Sequence, residues 1–206
     1  MKKIMFNDRY GLTEAVLEGR KTQTRRLSGF YDQTMNPHLT LLLRSEKGRE
    51  EFVAKNSKYK IGEVVAIAQR YKDIQELLPQ DPIALNTLDG KDDFVYSDYT
   101  KTMGWNCKMF VKAKHMPSHV KITNIRVERL QDISNEDCLK EGVIEAERDA
   151  LGRYVTKYGF EDTKNPYGHY FNTPREAFAH LIDKVGKKGT WDSNPYVFVY
   201  DFELVD

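Results

Sequence analysis

The apolar positions of the chain predict few helices. Leu12–Glu18 carries apolar side chains at helical spacing, and Gly19 follows as a stop signal. A second helix is predicted from Ser134, which opens a capping box, up to Gly142. A third helix is predicted to begin at Thr173-Pro174, because proline suits the first helical position and the apolar residues after it form one stripe.

The same pattern predicts several strands separated by irregular segments. Val64–Ala68 is continuously apolar, His119–Leu130 alternates, and Tyr196–Val205 has apolar or aromatic residues on both faces. Shorter patterns predict a charged helix at Glu46–Lys55 and a strand at Met109–Lys112. Few helices and scattered strands together predict an α+β fold around a small, mostly antiparallel sheet or barrel.

Composition limits the possible partners. The 206 residues include 32 basic and 31 acidic side chains, so anion binding is expected from local clusters and not from bulk charge. Cys107 and Cys138 form neither a metal-binding pair nor a disulfide framework. No apolar run has the length of a signal peptide or a membrane span. We therefore expect a soluble, cytoplasmic protein without membrane contact.

The densest chemistry lies in Gly19–Arg26, GRKTQTRR. Arginine forks bind phosphate or carboxylate, and a lysine among other cations has its ammonium form disfavoured, so that Lys21 can act as a base. A threonine hydroxyl near such a lysine can be a nucleophile in amide or ester cleavage. The alternative is a solvated basic turn. The candidate residues here are Lys21, Thr22, Thr24, Arg25 and Arg26.

Two further positions stand out. Glu141 lies in the last turn of its predicted helix, where its charge opposes the helix dipole, which makes it a candidate functional acid. Trp191, in a polar turn with Asn194, is either a stacking platform for a base or a plug for the bottom of a barrel. Neither zinc-type histidine motifs nor GxGxxG or Walker loops occur, and we predict no metal and no cofactor.

Four segments together resemble a known family. They are the opening helix with GRKTQTRR, IGEVVAI, HMPSHVKITNIRVERLQDIS with the helix after it, and WDSNPYVFVYDFELV. The chain is similar in these segments to the ASCH family, a branch of the PUA-like β-barrel superfamily linked to RNA and modified nucleosides. It most resembles the longer phage and prophage members. The resemblance implies one PUA-like domain over residues 1–206, with insertions at 28–58, 72–114 and 144–172.

The resemblance also implies catalytic residues. Compact bacterial members that remove the acetyl group from N4-acetylcytidine use a lysine, a threonine and a glutamate, which match Lys21, Thr24 and Glu141. By that match Thr24 attacks the amide carbonyl and Lys21 accepts its proton. Glu141 then handles protons at the intermediate and the leaving amine.

The chain departs from the phage-type pattern after its Gly-Glu turn. Relatives commonly carry a tryptophan and an Arg-Glu pair there, whereas this chain has Ala66 and a neutral Gln69. A changed pocket wall, and with it a changed substrate choice, is the expected consequence. The side chains expected to bind substrate or nucleic acid are Thr22, Arg25, Arg26, Gln69, Arg70, Tyr71, Trp191 and Asn194.

The leading expectation is a pocket protein for a nucleoside or single-stranded RNA that hydrolyses an N-acyl group from a modified cytosine. One alternative is a non-catalytic RNA- or DNA-binding module, in which Lys21, Arg25 and Arg26 contact phosphates and Trp191 or Tyr71 stacks on a base. Others are a metal-independent single-strand ribonuclease, an activity of some ASCH relatives, and an accessory domain that binds only a protein partner.

Overall fold

The structure, a computed structural model, describes residues 1–27, 41–78, 99–148, 155–165 and 169–205. Eight strands and five α-helices have their bounds in these ranges. The strands are β1 (Lys3–Ile4), β2 (Gln23–Leu27), β3 (Val64–Ile67), β4 (His119–Arg129), β5 (Ile144–Arg148), β6 (Val155–Phe160), β7 (His169–Phe171) and β8 (Tyr196–Leu204). The α-helices are α1 (Leu12–Leu17), α2 (Glu46–Asn56), α3 (Asn135–Lys140), α4 (Pro174–Val185) and α5 (Thr190–Ser193).

The chain divides into two compact units. The first consists of Met1–Phe6, Val64–Val120 and Val205–Asp206, and the second of Asn7–Glu63 and Lys121–Leu204. Strand β4 therefore begins in the first unit and continues in the second. The predicted α+β class is confirmed, because the described strands form two sheets with helices beside them. No closed barrel is found among the described strands, and the PUA-like barrel stays a prediction.

The first unit is built on β3, which lies between β1 and the start of β4. Strands β1 and β3 run parallel, with Lys3 opposite Ala66. The predicted buried strand is confirmed, because every side chain from Val65 to Ala68 is fully buried. The stretch after it, which the sequence predicts as a surface excursion, begins inside the core: its Tyr71 and Ile74 pack there. Residues 79–98 of that stretch lie outside the described ranges.

The strand predicted at Met109–Lys112 is wrong. Lys108–Phe110 is instead a short 3-10 helix. The Phe110 amide donates to the Cys107 carbonyl three residues earlier, which is the hydrogen-bond spacing of a 3-10 helix and not of a strand. A short apolar run does not distinguish such a turn from a strand.

In the second unit β8 lies between β4 and β2. Strands β2 and β8 are antiparallel, with Thr24 opposite Tyr200 and Arg25 opposite Val199. Strands β5, β6 and β7 form a separate antiparallel sheet. The sequence predicts an irregular excursion over 144–172, and this sheet corrects it. These segments lack a regular apolar alternation, and they form strands because they pair with one another. Residues 149–154 and 166–168 lie outside the described ranges.

The helix boundaries follow the capping chemistry. The Ser134 hydroxyl accepts a hydrogen bond from the Asp137 amide, and the Thr173 hydroxyl accepts one from the Glu176 amide. The predicted helices at 12–18, 46–55, 134–141 and from 173 are confirmed as α1 to α4. Residues 28–40, the start of the first predicted insertion, lie outside the described ranges. None of the described helices is both long enough and apolar enough to span a bilayer.

Candidate functional site

The basic segment is delivered by the end of α1. Gly19 adopts a left-handed conformation with φ of 73°, which turns the chain. The Lys21 amide then donates to the Ala15 carbonyl at 2.8 Å, and the Thr22 amide donates to the Lys140 carbonyl at 3.0 Å. The segment is thus fastened between α1 and α3 before β2 starts.

The alternative of a solvated basic turn is wrong for most of this segment. Lys21 is 2% exposed, Thr24 4% and Arg25 5%. The reason is tertiary, because β2 pairs with β8 and is covered, so its charged residues must find protein partners. Thr22 and Arg26 are half-buried.

The structure brings Lys21 and Glu141 together. The Lys21 Nζ donates to Glu141 Oε2, to the Glu141 carbonyl and to the Gln23 carbonyl, each at 2.7 Å. An ammonium group has three N–H donors, and each of these acceptors takes one. Burial lowers the pKa of Lys21 below its ordinary value. The negative charge of Glu141 partly offsets that effect, and the nearby Arg26 and Arg25 add to it.

Glu141 reaches Lys21 because α3 ends there. The residue caps the C-terminus of α3, and Gly142 after it has φ of 97°. A Cβ on Gly142 would lie 3.1 Å from Leu12 Cδ2 and 3.6 Å from Lys21 Cδ. Glycine therefore allows the end of α3 to approach α1 and the lysine stem closely.

Arg25 is the third member of this arrangement, and its side chain is 1% exposed. Its Nη1 donates to Glu141 Oε1 at 3.1 Å and to Gln23 Oε1, while its Nη2 donates to Asp137 Oδ2 at 3.1 Å and to Glu128 Oε1. Burial by itself lowers the pKa of Arg25, but the carboxylates around it outweigh burial and raise that pKa. We call Lys21, Gln23, Arg25, Glu128, Asp137 and Glu141 the Arg25 cluster.

A second arginine closes the cluster on its outer side. Arg126 donates to Glu128 Oε2 at 3.0 Å, to Asp137 Oδ2 at 2.8 Å and to Asp201 Oδ2 at 2.6 Å. Hydrogen bonds from Arg25 and the positive charges of Arg25 and Arg126 overcome the effect of burial on Asp137, so the pKa of that carboxyl falls below its usual range. The donors of Arg25 are therefore committed to protein acceptors, which favours a scaffold role for this residue over contact with a phosphate.

Thr24 and Arg26 lie on the other face of β2. Side chains alternate along a strand, so this face is opposite to that of Gln23 and Arg25. Thr24 is paired with Tyr200, whose ring lies 5.1 Å from that of Tyr59. The nucleophile role of Thr24 stays a prediction.

This second face is aromatic and covered by α2. Phe52 of α2 stacks on Phe198 at 5.5 Å, and Phe198 stacks on Tyr200 at 6.0 Å. Burial raises the pKa of Tyr59 to about 12, although the charge of Arg26 opposes the rise. Burial lowers the pKa of Arg26, although Tyr59, Glu141 and Tyr200 oppose it.

Trp191 and Asn194 hold the turn before β8. Trp191 packs edge-on against Phe178 of α4 at 6.2 Å, beside the core of the second unit. Asn194, with φ of 42°, accepts a hydrogen bond from the Gln131 amide through its side chain and one from Arg129 through its carbonyl. These contacts give both residues a packing role, and base stacking by Trp191 stays a prediction.

Gln69, Arg70 and Tyr71 belong to the first unit. Arg70 pairs with Asp73 at 2.6 Å, and Tyr71 is buried, with its hydroxyl 3.1 Å from His115 Nδ1. The side-chain oxygen of Gln69 is buried, and none of the described residues donates a hydrogen bond to it. The predicted site residues therefore fall into two sets, one in each unit.

A cavity of about 1130 Å³ lies in the second unit, between α2 and the later half of β4. Its lining includes Arg126 and Glu128 at the edge of the Arg25 cluster, but none of Lys21, Thr24 and Glu141. At one wall the Arg129 guanidinium lies 4.0 Å above the ring of Tyr196. Sequence reasoning missed this wall, because its two residues lie in different segments of the chain and nothing in either segment shows that they meet.

A second group of titratable residues surrounds Asp162. Arg9 donates to both carboxylate oxygens of Asp162, at 2.9 and 3.0 Å, and His169 Nε2 lies 3.4 Å from the same carboxylate. The hydrogen bond from Arg9 is the main reason that the pKa of Asp162 lies well below its usual range. The rings of His169 and Phe160 pack against each other and against the ring of His180. We call Arg9, Phe160, Asp162, His169 and His180 the Asp162 cluster.

His180 is the least satisfied member of that cluster. Its ring lies 5.2 Å from His169 and 5.9 Å from Phe160, and its buried Nε2 has no hydrogen-bond partner among the residues that the structure describes. Burial lowers the pKa of His180, and the positive charges of Lys184 and His169 lower it further. The negative charge of Asp183 has the opposite, smaller effect. In the part of the chain that the structure describes, no three His, Cys, Asp or Glu side chains are arranged to hold a metal ion.

No protein-family model, curated protein or solved structure matches this chain. The ASCH resemblance therefore stays a prediction that depends on the four sequence segments.

Proposed function

We propose that the chain is an ASCH-type protein, with the PUA-like architecture of that family, that binds a nucleoside or RNA element and hydrolyses the N-acyl amide of an N4-acetylcytidine-type substrate. The observation that carries the proposal is the buried contact between Lys21 and Glu141, 120 residues apart in the chain. Burial favours the neutral amine of Lys21 and the Glu141 carboxylate stabilises its ammonium, so the lysine is suited to accept and return a proton.

The reaction divides into two steps. The scheme requires the Thr24 side chain, which faces the other side of β2, to come within hydrogen-bond reach of a neutral Lys21 when substrate is bound. The Thr24 hydroxyl oxygen then attacks the amide carbonyl carbon, and its proton passes to the Lys21 nitrogen. The carbon–nitrogen bond then breaks, the leaving cytosine amine takes the proton back from Lys21, and the acyl group remains on Thr24 as an ester. Water hydrolyses that ester to release acetate and restore the threonine. The sum is amide plus water giving amine plus carboxylic acid.

Glu141 has two tasks in this scheme. It stabilises the lysinium that forms when Thr24 loses its proton, through the 2.7 Å contact to the ammonium. It also holds the lysine in place, because the same ammonium bonds to the Glu141 carbonyl. Lys21 reaches β2 through the Gln23 carbonyl, one residue before Thr24.

The test is to incubate the purified protein with N4-acetylcytidine and to follow cytidine and acetate by chromatography. We expect turnover by the natural chain and a loss of about 100-fold or more in kcat/KM for Lys21→Met and Thr24→Val. Thr24→Ser should keep part of the activity, because it retains the hydroxyl. Lys47→Met, which removes a lysine that is 86% exposed, is the matched control and should be unchanged.

Two outcomes would reject the hydrolase. One is that the natural chain does not turn over the substrate. The other is that Lys21→Met and Thr24→Val, with folding checked by circular dichroism, work as well as the natural chain.

The cavity favours a second candidate, a non-catalytic nucleoside- or RNA-binding module. Its lining lacks the three predicted catalytic residues, and Arg129 on Tyr196 offers a flat cationic surface for a base. Binding of labelled single-stranded RNA should weaken with salt, with a log–log slope of about −0.7 per phosphate contact.

The variants separate the two candidates. Arg129→Gln should weaken RNA binding by the module while Lys21→Met leaves it intact, and Arg20→Gln at an exposed arginine serves as the control. Cleavage of the labelled RNA in the presence of a chelator would instead indicate the metal-independent ribonuclease.

A further inference from the structure

One carboxylate serves two buried cations in the Arg25 cluster. Glu141 Oε2 accepts from the Lys21 ammonium at 2.7 Å, and Glu141 Oε1 accepts from Arg25 Nη1 at 3.1 Å. Both oxygens are therefore occupied, each by a different cation. Glu141 is itself 5% exposed, so water contributes little to its solvation.

This sharing matters when Lys21 loses its proton. If Glu141 had Lys21 as its sole partner, deprotonation of the lysine would leave an unpaired carboxylate in a buried place, at a high cost. Arg25 removes that difficulty, because a guanidinium stays charged at every relevant pH. The pair of Arg25 and Glu141 remains neutral as a whole whether or not Lys21 carries a proton.

Arg25 is fixed well enough to do this. Its planar fork is held on three sides by Glu128, Asp137 and Gln23, and its face lies 5.9 Å from the Phe178 ring. Glu128 and Asp137 are in turn held by Arg126. Arg25 thus cannot swing to another acceptor without leaving several buried groups unpaired.

We propose that Arg25 is a positioning residue that holds Glu141 by one oxygen and leaves the other for Lys21, so that Lys21 can alternate between its charged and neutral forms. The catalytic use of this device rests on the proposed function, whereas the charge sharing does not. The charged groups that influence Lys21 are Glu141 at the end of α3, Arg25 on the same face of β2, and Arg26 on the opposite face of β2.

The direct test is the titration of Lys21 by NMR in protein labelled at the lysine Cε carbon, with the signal assigned through Lys21→Met. In Arg25→Gln a positive neighbour is lost and Glu141 belongs to Lys21 alone. Both changes favour the ammonium, so we expect the Lys21 midpoint to rise by about one pH unit or more. Arg20→Gln removes an exposed arginine from the same segment and should leave the midpoint unchanged.

Arg25→Lys is the second variant, and it keeps the positive charge at position 25. It tests the same inference if Arg25→Gln does not fold. Its Lys21 midpoint should lie within about half a pH unit of the natural value. An unchanged midpoint in folded Arg25→Gln would overturn the inference, as would a rise in Arg25→Lys as large as in Arg25→Gln.

Hydrolysis of N4-acetylcytidine provides an independent readout. The acidic limb of kcat/KM should move to higher pH in Arg25→Gln by the same amount as the Lys21 midpoint. Absence of turnover in the natural chain would reject the hydrolase while the NMR result still decides the charge sharing. If the natural chain turns over the substrate but the Lys21 midpoint does not move in Arg25→Gln, only the role of Arg25 is rejected, and the hydrolase proposal stands.

Discussion

The second unit contains two clusters of buried charge, and the two differ in how the buried charge is compensated. In the Arg25 cluster the buried group is a guanidinium, 1% exposed, with three carboxylates and a second buried cation around it. In the Asp162 cluster the buried group is a carboxylate, 2% exposed, whose arginine partner is 42% exposed. One cluster excludes water from both signs of charge, and the other excludes it from only one.

The difference lies in what can replace a missing partner. A buried cation that loses its carboxylate finds no water, so the full desolvation cost appears in the free energy of unfolding. An exposed Arg9 that loses Asp162 is hydrated at once. The Asp162 cluster instead has a different weakness, because the buried His180 Nε2 has no hydrogen-bond partner in the described part of the chain and burial favours the neutral ring.

The largest expected effect is that of Glu141→Ala. This change leaves Lys21 and Arg25 buried with one carboxylate fewer, and we expect the free energy of unfolding to fall by about 3–5 kcal/mol. Urea denaturation followed by circular dichroism measures it. Glu145→Ala, at an exposed glutamate on β5, is the control and should change stability by no more than about 0.5 kcal/mol. Equal effects at the two positions would remove the contrast between buried and hydrated pairing.

A smaller effect is expected from the glycines beside the two clusters. Gly142→Ala should cost about 1–2 kcal/mol for its left-handed backbone, and more because the new methyl group meets the buried Leu12. Gly11 lies beside the Asp162 cluster with φ of 63°, and there the new methyl group meets the exposed side chain of Glu161, which can move away. Thermal unfolding should therefore rank Gly142→Ala as the more damaging change, and the reverse order would contradict this account of packing.

The smallest effect concerns pH. The folded pKa of His180 is lowered, so the unfolded chain binds more protons between that value and about 6.5, the ordinary histidine pKa. Stability contributed by His180 is thus complete above about pH 7 and is lost as the pH falls through the folded pKa. His180→Phe keeps the ring and should reduce the loss in Tm between pH 7 and pH 5 by about 2 °C.

A measurement at pH 8, where the histidine is neutral in both states, gives the packing effect of the phenylalanine for subtraction. If the corrected variant loses as much Tm on acidification as the natural chain, His180 is not the pH-sensitive residue of the Asp162 cluster.

Local sequence features were enough to predict the helices and the main strands. Ser134 and Thr173 cap their helices as their side chains require, and Gly19 and Gly142 end helices because they can take positive φ. Residues 65–67 of β3 and residues 196–200 of β8 are buried, as their pattern predicts. These features depend on a few neighbouring residues and can be seen in the sequence.

The sheet of β5, β6 and β7 could not be predicted in this way. Its strands are short, and their order comes from pairing, such as Tyr158 opposite Phe171. Short runs without regular alternation look the same in a loop and in a strand until a partner is present. The strand predicted at Met109–Lys112 failed because Lys108–Phe110 forms a 3-10 helix, in which the backbone bonds to residues three positions away in the chain.

For the candidate site, the sequence by itself determined which residue types were available: a lysine, arginines and a threonine after α1, and a glutamate at the end of α3. Only the tertiary structure decided that Lys21 and Glu141 touch and that Arg25 shares their carboxylate, while Thr24 faces the other side of β2. The physical reason is that burial and pairing are properties of the packed chain. A run of charged residues carries the same charges whether it is hydrated or enclosed, and only its neighbours in space settle which.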